Sequence, residues 1–153
     1  MQILRKAAEF TSSIDDKLTI YILYVRSILE QSCVVWHNSL TAQNSEDLER
    51  VQRSAVRLIL GRNFENYEDV LDKIGLQSLH ERREEMCLKF AQKCLENEKT
   101  ENMFPLKTNY HSMRKRKPEI FKVNHSNTDR LKSSAIPSMQ RRLNETYLKR
   151  NHG

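Results

Sequence analysis

The sequence predicts an all-α fold: a small helical bundle of about four helices with a basic, partly disordered C-terminal tail. Three observations carry this expectation. Only three glycines and three prolines occur in 153 residues, too few turn formers for a many-stranded β fold. Apolar residues recur at steps of three and four, the period of a helix face. Cap signals then bound those periodic stretches. The expected division is a helical body over residues 1–98 and a largely extended tail over 99–153.

The first strong element is residues 16–36, where Leu18, Ile22, Val25, Leu29, Cys33 and Trp36 fall on one helix face. Tyr21, Tyr24, Ile28 and Val35 widen that stripe, which predicts a mostly buried helix. Its β-branched content leaves a strand open for part of it, although its length favours the helix. A second helix is expected from Asn44 or Ser45, both good N-caps, with Glu46, Asp47 and Glu49 suited to the positive helix end. Leu48, Val51, Ala55, Leu58 and Ile59 form its apolar face, and Gly61 supplies the C-cap. A shorter helix runs from Asn66 to Ile74 and closes at Gly75. Ser78-Leu79-His80-Glu81 fits the S-x-x-E capping box, opening a long helix to about Asn97 with Met86, Cys87, Phe90, Ala91 and Cys94 inward. Beyond Lys99, Pro105, Pro118 and Pro137 interrupt the pattern, leaving one short helix around 138–150.

Charge is unevenly placed. Residues 1–98 hold 13 Lys and Arg against 16 Asp and Glu, a net −3, whereas residues 99–153 hold 13 against 4, a net +9. A basic segment on a near-neutral body suits a polyanionic partner, nucleic acid before anionic membrane. Cys33, Cys87 and Cys94 are odd in number and lack C-x-x-C spacing. They are expected as buried thiols in a reducing, intracellular compartment, nucleus or cytoplasm. No unbroken apolar run reaches the ~18–20 residues of a membrane span, and Met1–Phe10 lacks a signal peptide's cleavage site.

Asp15-Asp16 invites comparison with a polymerase's metal-binding pair. That chemistry needs a rigid turn between apolar strands, whereas here the pair follows Thr11-Ser12-Ser13 and opens a helix, where acids favour the dipole. The five histidines are scattered and join no cysteine at zinc spacing. Phosphate-cradling, nucleophile-elbow and H-E-x-x-H motifs are missing from the sequence. Neither catalytic residue, metal nor cofactor is expected.

Basic residues are the candidates for binding. Arg50, Arg53 and Arg57 share one helix side, opposite Leu48, Val51 and Ala55, where they could follow a phosphate backbone. Equally, Glu46 and Glu49 stand four residues ahead of Arg50 and Arg53, as in ordinary surface pairs. Arg114-Lys115-Arg116-Lys117 is the densest run. It fits phosphate contact, a nuclear-import signal or a solvated linker. Arg141-Arg142 and Lys149-Arg150 extend the same field.

Several stretches together resemble one family. Tyr24-Val25-Arg26-Ser27-Ile28-Leu29-Glu30, with Trp36 following, resembles the L-Y-x-x-x-V-R-[PS]-x-L-E-Y…W segment of non-LTR retrotransposon polymerases of the jockey and chicken-repeat type. Leu48-Glu49-Arg50-Val51-Gln52-Arg53-Ser54-Ala55-Val56-Arg57-Leu58-Ile59 is similar to their L-E-[RK]-[VI]-Q-x-x-A-x-R-x-I helix. Tyr67-Glu68, Leu71, Ile74, Leu76, Ser78-Leu79 and Arg82-Arg83 follow their Y-E-x-x-L-x-x-L-x-L-x-S-L-x-x-R-R pattern. Phe121, Arg130, Ser133, Ile136-Pro137 and Leu143-Asn144 resemble their late F…R…S-x-I-P…L-N segment. Gln31 stands where the family often has tyrosine, and Glu84-Glu85 replaces a more basic continuation.

The resemblance spans about residues 16–146 and implies the thumb and post-thumb region of a reverse transcriptase, downstream of its catalytic aspartates. It implies a non-enzymatic fragment that grips template and primer, RNA or DNA, beside the polymerase palm. Two other readings stay open: a helical protein–protein interaction module, and a retroelement remnant without function.

Overall fold

The computed structural model describes residues 2–11, 13–107 and 120–150. Among them the chain is helical, as expected, and two compact units divide it. The first joins Met1–Cys33 with Leu40–Arg83; the second joins Val34–Ser39 with Glu84–Gly153.

The first unit opens with α1 (Gln2–Phe10), whose Leu4 is buried. Helix α2 (Ile14–Ile20) follows, and the Ser13 hydroxyl accepts from the Asp16 N–H at 3.4 Å. Asp15 and Asp16 thus occupy its first turn, where carboxylates meet the positive helix end. The helical path widens into a π-helical turn (Tyr21–Arg26), resumes as α3 (Ser27–Glu30), and breaks at Ser32, whose φ is +54°. α4 (Cys33–Trp36) follows the break.

This stretch is not buried all round. Tyr21, Val25 and Cys33 are buried, but Leu23, Tyr24, Ile28 and Val35 are exposed, so the mostly buried helix read from the sequence is corrected to a two-faced one. By length and composition alone Ile14–Ser39 is apolar enough to cross a membrane, one 18-residue window within it having a mean hydropathy of 1.3. Averaging over a window tolerates Arg26 and Glu30, which interrupt any unbroken run.

Helix α5 (Ala42–Leu60) begins earlier than expected. Thr41, not Asn44 or Ser45, is the N-cap, its hydroxyl accepting from the Asn44 N–H at 3.1 Å. The first turn, residues 42–44, is exposed and has no inward residue, so periodicity could not reveal it. Gly61 ends α5 with φ +55°, and Gly75 ends α6 (Tyr67–Ile74) in the left-handed region, φ +67°. The core gathers Leu4, Tyr21, Val25, Ala55, Val56, Ile59, Val70, Leu71 and Leu76.

Helix α7 (Leu79–Leu95) opens on the expected reciprocal cap. The Ser78 hydroxyl accepts from the Glu81 N–H at 3.2 Å, and Glu81 accepts from the Ser78 N–H at 3.3 Å. Ser78→Ala is expected to cost about 1 kcal/mol, measured as a lower urea midpoint at unchanged slope. Arg83 is wholly buried on this helix and donates to the Ser45 hydroxyl.

The second unit departs from the expected boundary at residue 98. Cys87, Ala91 and Cys94 of α7 form a core with Phe104, Phe121, Met139 and Leu143, so the supposed tail supplies most of it. Phe90, expected inside, is largely exposed. The three cysteines are buried and none is in a disulfide. α8 (Asp129–Lys132) is one turn capped by Thr128, and α9 (Ala135–Arg150) is a full helix. Pro137 does not interrupt α9. It lies in the first turn, where its missing N–H would have had no intrahelical partner, and the next residue's N–H reaches the Ser134 carbonyl.

Two α9 side chains hold the irregular segments against that core. Asn144 accepts from the N–H groups of Ile120 and Phe121 and donates to the Phe121 carbonyl, all within 3.0 Å. Gln140, one turn earlier, accepts from the Asn124 N–H and donates to the Met103 carbonyl. A single antiparallel bridge pairs Leu106 with Phe121, and the Lys107 N–H reaches the Ile120 carbonyl at 2.9 Å. The chain therefore leaves at 107 and returns at 120 side by side.

Candidate nucleic-acid interface

The α5 arginines are already engaged. Arg50 pairs with Asp47 at 3.0 Å. Arg53 pairs with Glu46 at 3.2 Å and stacks over the Tyr67 ring, while Arg57 stacks over Phe64, both at 4.9 Å. Glu49, expected to face Arg53, turns inward instead. One of its oxygens accepts from the Tyr67 hydroxyl at 2.6 Å and from the Leu79 N–H at 3.3 Å.

Glu46, Glu49, Glu68, Asp72 and Glu81 line a cleft of about 740 Å³ beside Arg53. Arg53 therefore sits among acids, whereas Arg57 is exposed over an aromatic ring and Arg50 stands in an exposed pair. The α5 stripe is thus mainly a set of intramolecular partners.

Behind it lies a polar network that local sequence signals did not reveal. Gln52 is fully buried; it accepts from the Tyr21 hydroxyl at 2.6 Å and donates to Tyr67 Oη and the Gln77 carbonyl at 3.0 Å. Burial pushes both phenols above their ordinary pKa, and for Tyr67 the bond to Glu49 acts next in the same direction. Glu30, buried, lies 2.6 Å from Arg82 Nε and 3.6 Å from Arg26 Nε. Glu30, Glu49, Gln52, Tyr67 and Arg82 therefore fasten the elements of the first unit together.

In the second unit Arg142 pairs with Glu84, which holds its guanidinium above the ordinary pKa. Arg141 Nη2 donates to the Lys132 carbonyl and to the Ser138 hydroxyl. Arg114, Lys115, Arg116 and Lys117 lie outside the described residues.

Charge follows the units. The first has 11 Lys and Arg against 12 Asp and Glu, a net −1; the second has 15 against 8, a net +7. The described residues of the second unit alone hold 11 Lys and Arg against 7 Asp and Glu, a net +4. In comparisons with known proteins, no family model, no curated protein and no solved structure matches this chain.

Proposed function

We propose that the chain is a non-catalytic nucleic-acid-binding piece of a retrotransposon-type RNA-directed DNA polymerase, holding template or primer through phosphates. The observation that carries this reading is the net +7 of the second unit beside the net −1 of the first. The run Arg114–Lys117 falls between two backbone points, residues 107 and 120, that the Leu106–Phe121 bridge holds together. Because Arg50, Arg53, Arg57 and Arg142 already have acidic or aromatic partners, the contact is assigned chiefly to that run. Phosphate contacts position without reading sequence.

Fluorescence anisotropy with a DNA duplex and an RNA–DNA hybrid, over a range of salt, tests it. Changing Arg114, Lys115, Arg116 and Lys117 to glutamine should weaken unrelated sequences equally. The slope of log K against log salt should fall by roughly 0.9 per lost contact on DNA. An unchanged slope and affinity would overturn the reading.

A second reading has an observation of its own. Leu23, Tyr24 and Ile28 are exposed on consecutive helical turns, as on the docking face of an interaction module. If nucleic acid fails to bind, that module becomes the better account.

A further inference from the structure

The cleft beside Arg53 lies wholly in the first unit, between the N-terminal half of α5, α6 and the opening of α7. Leu71 and Leu76, both from the core, and the half-buried Tyr67 ring supply its apolar lining. Its volume of about 740 Å³ suits several side chains rather than one ion. Five carboxylates against one guanidinium line it, a net −4 with His80 neutral.

Three of those acids are engaged. Glu46 pairs with Arg53, Glu81 closes the Ser78 cap, and one oxygen of Glu49 takes the Tyr67 hydroxyl and the Leu79 N–H. The other oxygen of Glu49 is buried without a donor among the described residues, which leaves its charge incompletely compensated in the cleft wall. Glu68 and Asp72 are exposed one turn apart on α6, and neither carboxylate has a partner among the described residues. Like charges at that spacing repel each other. Both border the same cleft.

We propose that this cleft docks a short basic segment of a partner protein. An apolar side chain of the segment covers Leu71 and Leu76, and flanking lysines or arginines meet Glu68 and Asp72. Two complementarities point to that occupant. The net −4 suits cations, and a cation between Glu68 and Asp72 relieves their repulsion. A lone ion would leave the apolar lining wet, whereas a peptide side chain removes it from water. Nothing in this assignment depends on the phosphate contacts proposed for Arg114–Lys117.

The test uses the full chain. The peptide acetyl-Lys-Arg-Leu-Lys-Arg-amide is titrated at low salt, with backbone and methyl signals followed by NMR. One control peptide has glycine for the leucine, and another has glutamate for every cation. Shifts should centre on Tyr67, Leu71 and Leu76 with the first peptide, weaken as salt rises, and be absent with the acidic one. The glycine peptide should bind about tenfold more weakly, the effect of losing most of one leucine's burial. Glu68→Gln with Asp72→Asn should weaken the leucine peptide roughly threefold to tenfold, the size of two exposed ion pairs. Both positions are exposed, so the urea midpoint of that variant should stay close to wild type.

Equal binding of the leucine and glycine peptides would reduce the cleft to diffuse charge and overturn the proposal. Absence of shifts in the wild-type chain at millimolar peptide overturns it as well, without needing any variant to fold. Shifts at the same residues on raising protein concentration alone would make a second copy the occupant, and a partner's segment is then excluded. Each of these results leaves the salt slope of duplex binding through Arg114–Lys117 as it was, so the two readings fail separately.

Discussion

A chain ending at residue 98 is expected to lose its second unit while its first persists. The truncation removes Phe104, Phe121, Met139 and Leu143, all nearly inaccessible to water, and leaves Cys87, Ala91 and Cys94 of α7 without a covering. Burying each large side chain is worth roughly 1.5–3 kcal/mol, so the remaining stub cannot keep that core. Hydrogen exchange should show protection lost from about Cys87 onward and retained in α5 and α6. Leu143→Ala in the full chain is the milder version, expected to cost about 2–5 kcal/mol. Wild-type protection at Ala91 and Cys94 in the shortened chain would refute the assignment of that core.

Gln52→Leu should be nearly as damaging to the first unit, although leucine is apolar and of similar size. It leaves the buried Tyr21 hydroxyl without its acceptor and removes the donor from the Gln77 carbonyl. Each orphaned group costs about 1–3 kcal/mol, and urea melts of the variant should register the sum. The same network sets the behaviour in alkali. Tyr21 and Tyr67 have phenol pKa values raised in the fold, chiefly by burial. Below about pH 10, folded and unfolded phenols are both protonated, and their contribution is independent of pH. Above it the unfolded phenols ionise while the folded ones stay neutral, so stability falls as pH rises. Tyr21→Phe with Tyr67→Phe should flatten that alkaline limb in melts between pH 8 and 11. A limb equally steep in the double variant would count against the network as its cause.

What was legible in the sequence was local. The Ser78–Glu81 box and the glycine at 75 declare themselves within four residues, because capping geometry is satisfied there. The cap at Thr41 was hidden by a first turn of Ala42, Gln43 and Asn44, which has no inward residue to mark the period. The second core was hidden for a different reason. Phe104, Phe121 and Met139 lie in short apolar stretches without a sustained helical period, brought to Cys87 and Ala91 only by tertiary folding.

Charged residues misled most where they look most like surface. Arg83 is entirely buried, and Glu49 abandons its helical neighbour for Tyr67 and the start of α7. Helical spacing grouped Arg50, Arg53 and Arg57 on one side, but it could not show that aromatic rings from the following turn and helix lie beneath two of them.

The pairing of Leu106 with Phe121 has a consequence for how this chain tolerates change. Bringing the two ends together is the main entropic cost of any closed segment, and that cost grows only logarithmically with length. Doubling the intervening stretch adds about 0.6 kcal/mol. A change in the length of chain between residues 107 and 120 therefore adds little to the cost of closing the Leu106–Phe121 bridge and the clasp by Gln140 and Asn144. Insertions within α5 or α9 would instead turn buried residues such as Ala55 and Leu143 away from their cores.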